Sequence, residues 1–540
     1  MFHSIKAYYH SHPFKFILAL AFLVRLLAAV FSKGYAFTDD HFFVIEEAEQ
    51  WMMGNGKVQD WLSPFISGEE RISHSTLYTF LHYLFFQILH VFGIDNPETK
   101  MLLVRLIHSV YSLFTVYFGY KITVQLSNKK AAINVAWMLG LLWFAPFLSV
   151  RNLVEWVCIP PLLYATFLSI RSETRMQFFL VGLLAALAFV IRYQTVLMTA
   201  SIGVIIWYQK GFRLALPVLV GFLFGAFIYA GVLDYFLFGV PFHELIGYVE
   251  YNMTHAGEYP NGPWYQYILI VVGMLGLGLP ILWIKRIAED YKRWLILLIP
   301  VLAFFLFHSY FPNKQERFIL PMVPFFIILG NITSRQDVWN KRLHQLFWAI
   351  NIPLLLILTV SSTKTVKMDA MLFLRDRQVE HFAIESTNER QMEFIPQYYW
   401  GKWSGYQHFM PGCQARCFFD SVKTNARPMP EYILFFQDRA INKRLDSLKT
   451  FIRLSLDTTI ESSWLDRLIP KLNPVVKSPT IKIYRVEGWN HKELPTSSST
   501  TAIEASTSAE ATKTSRATAT AKVATSPKAS TKEDGRGIET

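Results

Sequence analysis

Asp39 and Asp40 stand side by side just past an apolar run, and Glu46, Glu47 and Glu49 follow in the segment FFVIEEAEQW. Paired carboxylates at a membrane boundary suit a hydroxyl acceptor, because one of the acids can take the hydroxyl proton. Neighbouring like charges and partial loss of water would raise one pKa and help that role. Helix capping is the competing reading, with an Asp before the helix and glutamates favouring its dipole. Arg151, Arg192, Lys314 and Arg317 lie in short polar connections further along. A cation there suits a lipid-linked phosphate, Arg best of all through its two-pronged donor geometry. Arg151 and Glu155 are four apart at a helix start, the spacing of an ordinary ion pair. Arg192, in the single turn IRYQT between two apolar helices, reads equally well as an interfacial anchor. Asp234 falls near the outer end of an apolar run, and an acid in a membrane span is a functional candidate. The loop after it, FGVPFHELIGYVEYNMTHAGEYPNGPWYQY, carries Tyr251, Asn252, Trp264 and Tyr265, side chains that stack on sugars and hydrogen-bond them.

Holding such residues on one face falls to the apolar runs. The 540 residues are 52% hydrophobic, 16% aromatic and 17% charged, with a mean hydropathy of +0.27. A soluble domain carries about 25% charged residues, so the composition excludes a disordered chain, a collagen-like chain and a charge-dense nucleic-acid-binding module. A membrane-spanning helix needs about 20 mostly apolar residues. Such runs lie at Phe14–Ser32 and near 101–120, 131–150, 154–170, 176–191, 193–208, 214–238, 264–284, 294–312, 317–331 and 343–361. Connections holding Lys121, Lys129 and Lys130, Arg171 and Arg175, Lys210 and Arg213, Lys285 to Arg293, and Arg335 to Arg342 belong to the cytoplasmic side. They alternate with external connections at 151–154, 192, 239–263 and 311–317. Parity then requires that 76–94, TLYTFLHYLFFQILHVFGI, lies in the membrane interface; a true crossing with a locally broken charge rule is the alternative. The predicted fold is an all-α polytopic membrane protein of about eleven spans plus interfacial helices, with the N-terminus inside and the C-terminus outside.

The chain divides into a transmembrane module over 1–361, with 33–75 as its first external loop and 76–94 as an interfacial helix, and a small external α/β domain over 362–494. That domain contains strand-like pieces at Tyr432–Phe436 and Thr480–Tyr484. A Ser/Thr/Ala-rich tail over 495–540 cannot bury a core and is expected to be disordered. Cys158 reads as packing in an apolar span. Cys413 and Cys417 leave a disulfide open in an oxidising compartment, and neither a His nor a second Cys pair accompanies them for zinc. The absence of a phosphate-cradling glycine loop and of a Walker sequence argues against an ATP-driven transporter. Much of the formal charge of +12 sits in the cytoplasmic connections, where it sets topology and forms no polyanion-binding patch.

Together these motifs resemble the Alg9-like α-mannosyltransferases, glycosyltransferase family 22 of the GT-C superfamily, which use dolichol-phosphate-mannose. The family's opening Asp-Glu pair and aromatic helix look like Asp39-Asp40-His41-Phe42-Phe43-Val44-Ile45-Glu46, followed by Gly54 and Gly56. Gln59-Asp60-Trp61 and Arg71 to Ser75 match two further stretches weakly. Its Arg…Glu segment is similar to Arg151 and Glu155. Its later order is similar to Asp234, Gly239, Tyr251-Asn252, Gly257 and Pro263-Trp264-Tyr265. The late signature appears as Asn313-Lys314-Gln315-Glu316-Arg317-Phe318-Ile319-Leu320-Pro321. The chain departs from the family at Asp40 for Glu, Asn313 for His and Gln315 for Glu, and those departures bear on substrate identity and activity. The resemblance covers roughly 14–360 and implies interfacial helices in the first external loop.

The expected reaction is inverting transfer of a hexose, by resemblance mannose, from a polyprenyl-phosphate carrier to a hydroxyl of an external glycan or lipid-linked acceptor. Asp39 is the expected base, with Asp40 or Glu46 orienting it. Arg192, Lys314 and Arg317 hold the leaving phosphate. Arg151, Glu155, Asp234, Tyr251, Asn252, Trp264 and Tyr265 are the expected substrate contacts. The resemblance implies no metal and no cofactor, the lipid-linked sugar phosphate being a substrate. Partners are that donor, the acceptor and membrane lipids, with no nucleic acid. A lipid-linked-sugar transporter and a non-catalytic scaffold are the other open classes. The expected location is a bacterial inner membrane, with the endoplasmic reticulum second. The sequon Asn252-Met253-Thr254 overlaps the site and is expected to stay unglycosylated.

Overall fold

The computed structural model describes residues 2–53, 75–255, 262–333, 337–385, 395–410, 413–436, 440–472 and 480–490. Expectations placed on Gly54, Gly56, 59–61, 71–74, Gly257 and the 495–540 tail lie outside them. Up to residue 359 the described elements are helical. Among the described residues five helices are long and apolar enough to cross a membrane: Pro13–Phe31, Pro97–Leu126, Phe212–Phe238, Tyr291–Tyr310 and Val338–Thr359. A sixth candidate, Gln266–Leu275 with Gly278–Glu289, is bent by 109°. The other expected spans fall on shorter helices, among them Lys129–Leu141, Ile159–Arg171, Arg175–Ile191, Val196–Lys210 and Val323–Ile332.

The shortening has local causes. The run at 131–150 stops at Leu141, and Leu142 turns extended at ψ 129°. Buried Asn351 then takes up the freed backbone, donating to the Leu141 carbonyl at 2.7 Å and accepting from the Trp143 N–H at 2.9 Å, as non-helical backbone at membrane depth requires. The run at 317–331 begins with a 3-10 turn, Glu316–Met322, containing Pro321. The bend within 264–284 falls at Gly276, whose φ of +79° is open to glycine without strain.

Arg25 lies midway along the first long helix and is fully buried. Its guanidinium donates to Ser112 Oγ at 3.0 Å, to the Gly140 carbonyl at 2.7 Å, to the Leu139 carbonyl at 3.2 Å and to Ala21 of its own helix at 3.1 Å. Three helices are thus pinned by one charge, a structural use for an arginine that apolar surroundings would otherwise reject.

Beyond residue 362 a mixed five-stranded sheet has the order β2-β1-β3-β5-β4, with β1 Phe382–Glu385, β2 Tyr406–Phe409, β3 Tyr432–Phe435, β4 Ile452–Ile460 and β5 Ile481–Trp489. The pieces expected at 432–436 and 480–484 are β3 and the start of β5. β1 pairs parallel with β2 and β3, while β5 pairs antiparallel with β3 and β4. Buried Glu385 on β1 is gripped by Arg444 at 2.9 and 3.0 Å. Cys417 is an exposed free thiol, so the disulfide left open by the sequence is not formed.

This domain packs directly on the first external loop and on the helix Thr76–Val91. Phe86 stacks on Tyr398 with ring centres 5.9 Å apart, and Val44, Tyr78, Leu89, Val366, Ile384 and Tyr399 share the same core. A parallel bridge joins Gly34 to Thr363, with Thr363 N–H donating to the Lys33 carbonyl at 3.2 Å and Thr363 Oγ1 to the Tyr35 carbonyl at 3.0 Å. Gly34 has φ +80°, and a Cβ there would stand 1.8 Å from the Thr363 carbonyl oxygen.

Candidate active site

Residues Thr38–Asp40 form one short turn that runs into a π-helical segment, His41–Glu46. Asp40 makes no side-chain cap to that segment; its Oδ1 accepts instead from the Val154 N–H at 3.3 Å. Both aspartates face Arg317, which arrives on the Glu316–Met322 turn. Arg317 Nη1 donates to Asp40 Oδ2 at 2.8 Å, and Nη2 pairs with Asp39. Its Nε reaches Gln315 Oε1 at 2.9 Å and lies 3.5 Å from Glu155 Oε1. The guanidinium carbon, Cζ, sits 4.7 Å from the Phe37 ring centre. Asp39 is 37% exposed at its side chain and Asp40 only 7%, so the two acids differ in what they can touch.

Glu155 is fully buried and lies 3.1 Å from Arg192 Nη2. It therefore sits between two guanidinium groups, Arg192 and Arg317. The expected pair between Arg151 and Glu155 does not form. Residues 151–153 are a turn, Leu153 is extended at ψ 108°, and the helix starts at Val154, so the two side chains do not share a helical face. Arg151 donates to the Phe147 carbonyl at 2.6 Å and to the Ser361 carbonyl at 3.4 Å, over the Phe147 ring. With Tyr35, Arg105 and Asn152 it lines a small pocket beside Asp40, with room for little more than a water.

Burial pushes the Asp40 carboxyl up to about 7, with Glu155 and Asp39 adding to the rise and Arg317 and the Val154 N–H opposing it. Burial also works against charge on Arg317, but Glu155, Asp40 and Asp39 outweigh it and raise its pKa. Tyr248, on the helix His243–Thr254, lies in the field of Arg192, Glu155 and Arg317, and burial raises its phenol. Tyr193 packs on Tyr248 at 5.2 Å.

Other expected residues stand elsewhere. Glu46 does not orient Asp39: its carboxylate is buried 3.4 Å from His41 Nε2 and accepts from the Tyr398 N–H at 3.4 Å, tying the loop to the external domain. The chain coils into a π turn there, which rotates Glu46 away. Lys314 donates to the Phe311 carbonyl at 2.7 Å and runs beside Gly262. Asp234 is buried and accepts from the Glu244 N–H at 3.1 Å, starting the next helix. Asn252 donates to the Tyr248 carbonyl at 2.8 Å within its own helix. Tyr251 stacks on His255 at 4.6 Å. Trp264 and Tyr265 are exposed at 68% and 45%, available to a ligand from outside but not joined to the charged cluster.

Two residues that sequence reasoning passed over belong here. Gln315, noted only as a departure, gives its amide oxygen to Arg317 and adds no fourth negative charge. Lys364, just past the last long helix, places its ammonium 3.3 Å from Thr38 Oγ1. Gln315 was within reach of a sequence argument, two residues from Arg317; Lys364 had no local signal at all.

The model of the Alg9-like mannosyltransferase family matches residues 16–399. The chain is similar to Mannosyltransferase APTG1 of Arabidopsis thaliana, 23% identical over 406 residues that cover 67% of this chain and 70% of that protein. It is similar to GPI alpha-1,2-mannosyltransferase 3 of Homo sapiens, 24% identical over 334 residues, covering 60% of this chain and 59% of that one. Among solved structures, ArnT from Cupriavidus metallidurans bound to undecaprenyl phosphate superposes with a TM-score of 0.56 at 10% identity, covering 86% of this chain and 97% of the other. That likeness shows a shared fold.

Proposed function

Because this chain belongs to the Alg9-like mannosyltransferase family and is a membrane glycosyltransferase, we propose that it moves mannose, with inversion, from a polyprenyl-phosphate donor to a hydroxyl of an extracytoplasmic glycan or lipid-linked acceptor. One observation carries this reading: half-exposed Asp39 and buried Asp40 share the guanidinium of Arg317. A proton acceptor and a phosphate-binding cation therefore meet at one point, as a single displacement requires.

In that displacement the bond from the acceptor oxygen to C1 forms as the bond from C1 to the phosphate oxygen breaks. The hydroxyl proton goes to Asp39, and the electron pair leaves with the lipid phosphate. Asp40 is shielded from the acceptor and keeps Arg317 aimed. The arriving phosphate competes with Asp39 for Arg317, which frees the carboxylate to act as base. Fixed positive charge beside the phosphate lowers the barrier as negative charge develops there. Glu155 holds Arg192 against the Phe318 ring, 5.0 Å away, as a second positive wall. No metal or cofactor enters this reading. The active face is extracytoplasmic, supported by the lack of Lys and Arg in 239–263; of the two candidate membranes, a bacterial inner membrane stands before that of the endoplasmic reticulum.

The test uses the purified full chain, synthetic polyprenyl-phosphate-mannose and a glycolipid extract of the source as acceptor. Asp39→Asn is expected to lose transfer by about 10²- to 10⁴-fold, the usual contribution of a general base. Wild-type transfer is expected to survive EDTA. Full activity in Asp39→Asn would remove Asp39 from the base role.

A further inference from the structure

Three carboxylates at the site, Asp39, Asp40 and Glu155, meet two guanidinium groups, Arg192 and Arg317. A further cation stands at the same turn. It comes from a distant part of the chain, where the last long helix passes into the external domain. Lys364 is half-buried, with its ammonium 3.3 Å from Thr38 Oγ1 and 5.2 Å from the Tyr35 ring centre.

The backbone fixes this residue from both sides. Lys364 has φ +53°, a left-handed conformation that costs a non-glycine residue about 1–2 kcal/mol and persists only where the surroundings impose it. Its N–H donates to Asp466 Oδ2 at 2.8 Å, and the preceding residue is stapled to Lys33 and Gly34. The side chain is thereby aimed at the turn carrying Asp39.

Arg192 and Arg317 are each already paired with a carboxylate. Among the described residues the Lys364 ammonium forms no ion pair, and a hydroxyl and a ring face leave some of its three donors unused. We infer that Lys364 is a ligand of the donor's phosphate, completing with Arg317 a two-cation clamp whose second half is supplied at the root of the external domain. The inference rests on the lipid-phosphate donor proposed above. As the C1–oxygen bond breaks, the phosphate passes from a diester to a monoester and gains one negative charge, which a second cation beside Arg317 meets.

Burial, helped by Lys367 and Arg317 and opposed by Asp39 and Asp466, lowers the ammonium to about 8. Its charge therefore fades as pH rises through 8, while a guanidinium keeps its charge. The experiment measures binding of undecaprenyl phosphate, and of undecaprenol as the phosphate-free control, to the detergent-purified full chain between pH 7 and 9.5. Wild type is expected to prefer the phosphate and to weaken about tenfold across that range, the scale of one charge-assisted hydrogen bond. Lys364→Met is expected to bind about tenfold more weakly at pH 7 with a flat profile. Lys364→Arg is expected to keep wild-type affinity at pH 7 and hold it to pH 9.5. Wild-type affinity in Lys364→Met, or an unchanged alkaline decline in Lys364→Arg, overturns the inference while the donor reading stands. If Lys364→Met does not fold, the Lys364→Arg profile decides alone. A wild type that binds undecaprenol as well as the phosphate sinks the donor reading and this inference with it.

Discussion

Asp40 is held between opposing demands: burial disfavours its charge, and Arg317 requires it. Its pKa of about 7 in the folded protein lies above the ordinary 3.8, so between those values the folded state binds more protons than the unfolded one. By linkage the stability contributed by this group falls as pH rises from about 4 to about 7, and is constant outside that window. Thermal unfolding of wild type and Asp40→Asn across pH 4–8 checks the sign: the advantage of wild type over the variant is expected to shrink with rising pH, and a growing advantage would refute it. The Asp39-Asp40 pair was legible in the sequence because adjacency needs no fold to establish it. The partner of Glu155 was not, because the rule for residues four apart presumes one continuous helix, and the turn at 151–153 breaks it. Lys364 lies 325 positions after Asp39, and only the folded chain brings them together.

Among the elements, the bridge from Gly34 to Thr363 decides the geometry of Lys364. Gly34 combines a positive φ with a carbonyl oxygen where a Cβ would stand, so Gly34→Ala has to displace Thr363 and carry Lys364 with it. The expected outcome is a stability loss of about 1–3 kcal/mol, the range for a left-handed position made non-glycine and a forced backbone shift, together with weaker undecaprenyl phosphate binding. Unchanged binding in Gly34→Ala would show that the bridge does not position the ammonium. The apolar runs placed the helices well, because hydropathy reads composition directly. The interruptions were hidden: the stop at Leu141 depends on Asn351, over two hundred residues away, and the 109° bend depends on a backbone angle. The helix Thr76–Val91 buries Tyr78, His82 and Phe86 against the loop and the external domain, a face its sequence alone shared with any amphipathic segment.

Across the whole molecule, membrane helices and sheet domain share one core, so the face bearing the cluster also bears the domain. Orientation can be read from a native thiol. Exposed Cys417 is expected to react with a membrane-impermeant maleimide in right-side-out vesicles and to be protected in sealed inside-out ones, read on the Cys413→Ser background so that one external thiol reports. The reverse pattern would turn the active face to the cytoplasm. The class of molecule was legible from composition and the sheet from two short strand signals, whereas their packing was not, since it depends on Phe86 meeting Tyr398. The pinning of Arg25 also has a consequence for how the chain is made. Its helix is synthesised well before the Gly140 carbonyl that accepts from it, which lies 115 residues later. Until that segment leaves the ribosome, the first helix carries a guanidinium lacking its partners from the other helices, at a cost of about 2.5–3.5 kcal/mol in the bilayer centre. The helix carrying Arg25 is therefore expected to stay at the translocon or near the headgroups until the segments that accept its hydrogen bonds arrive.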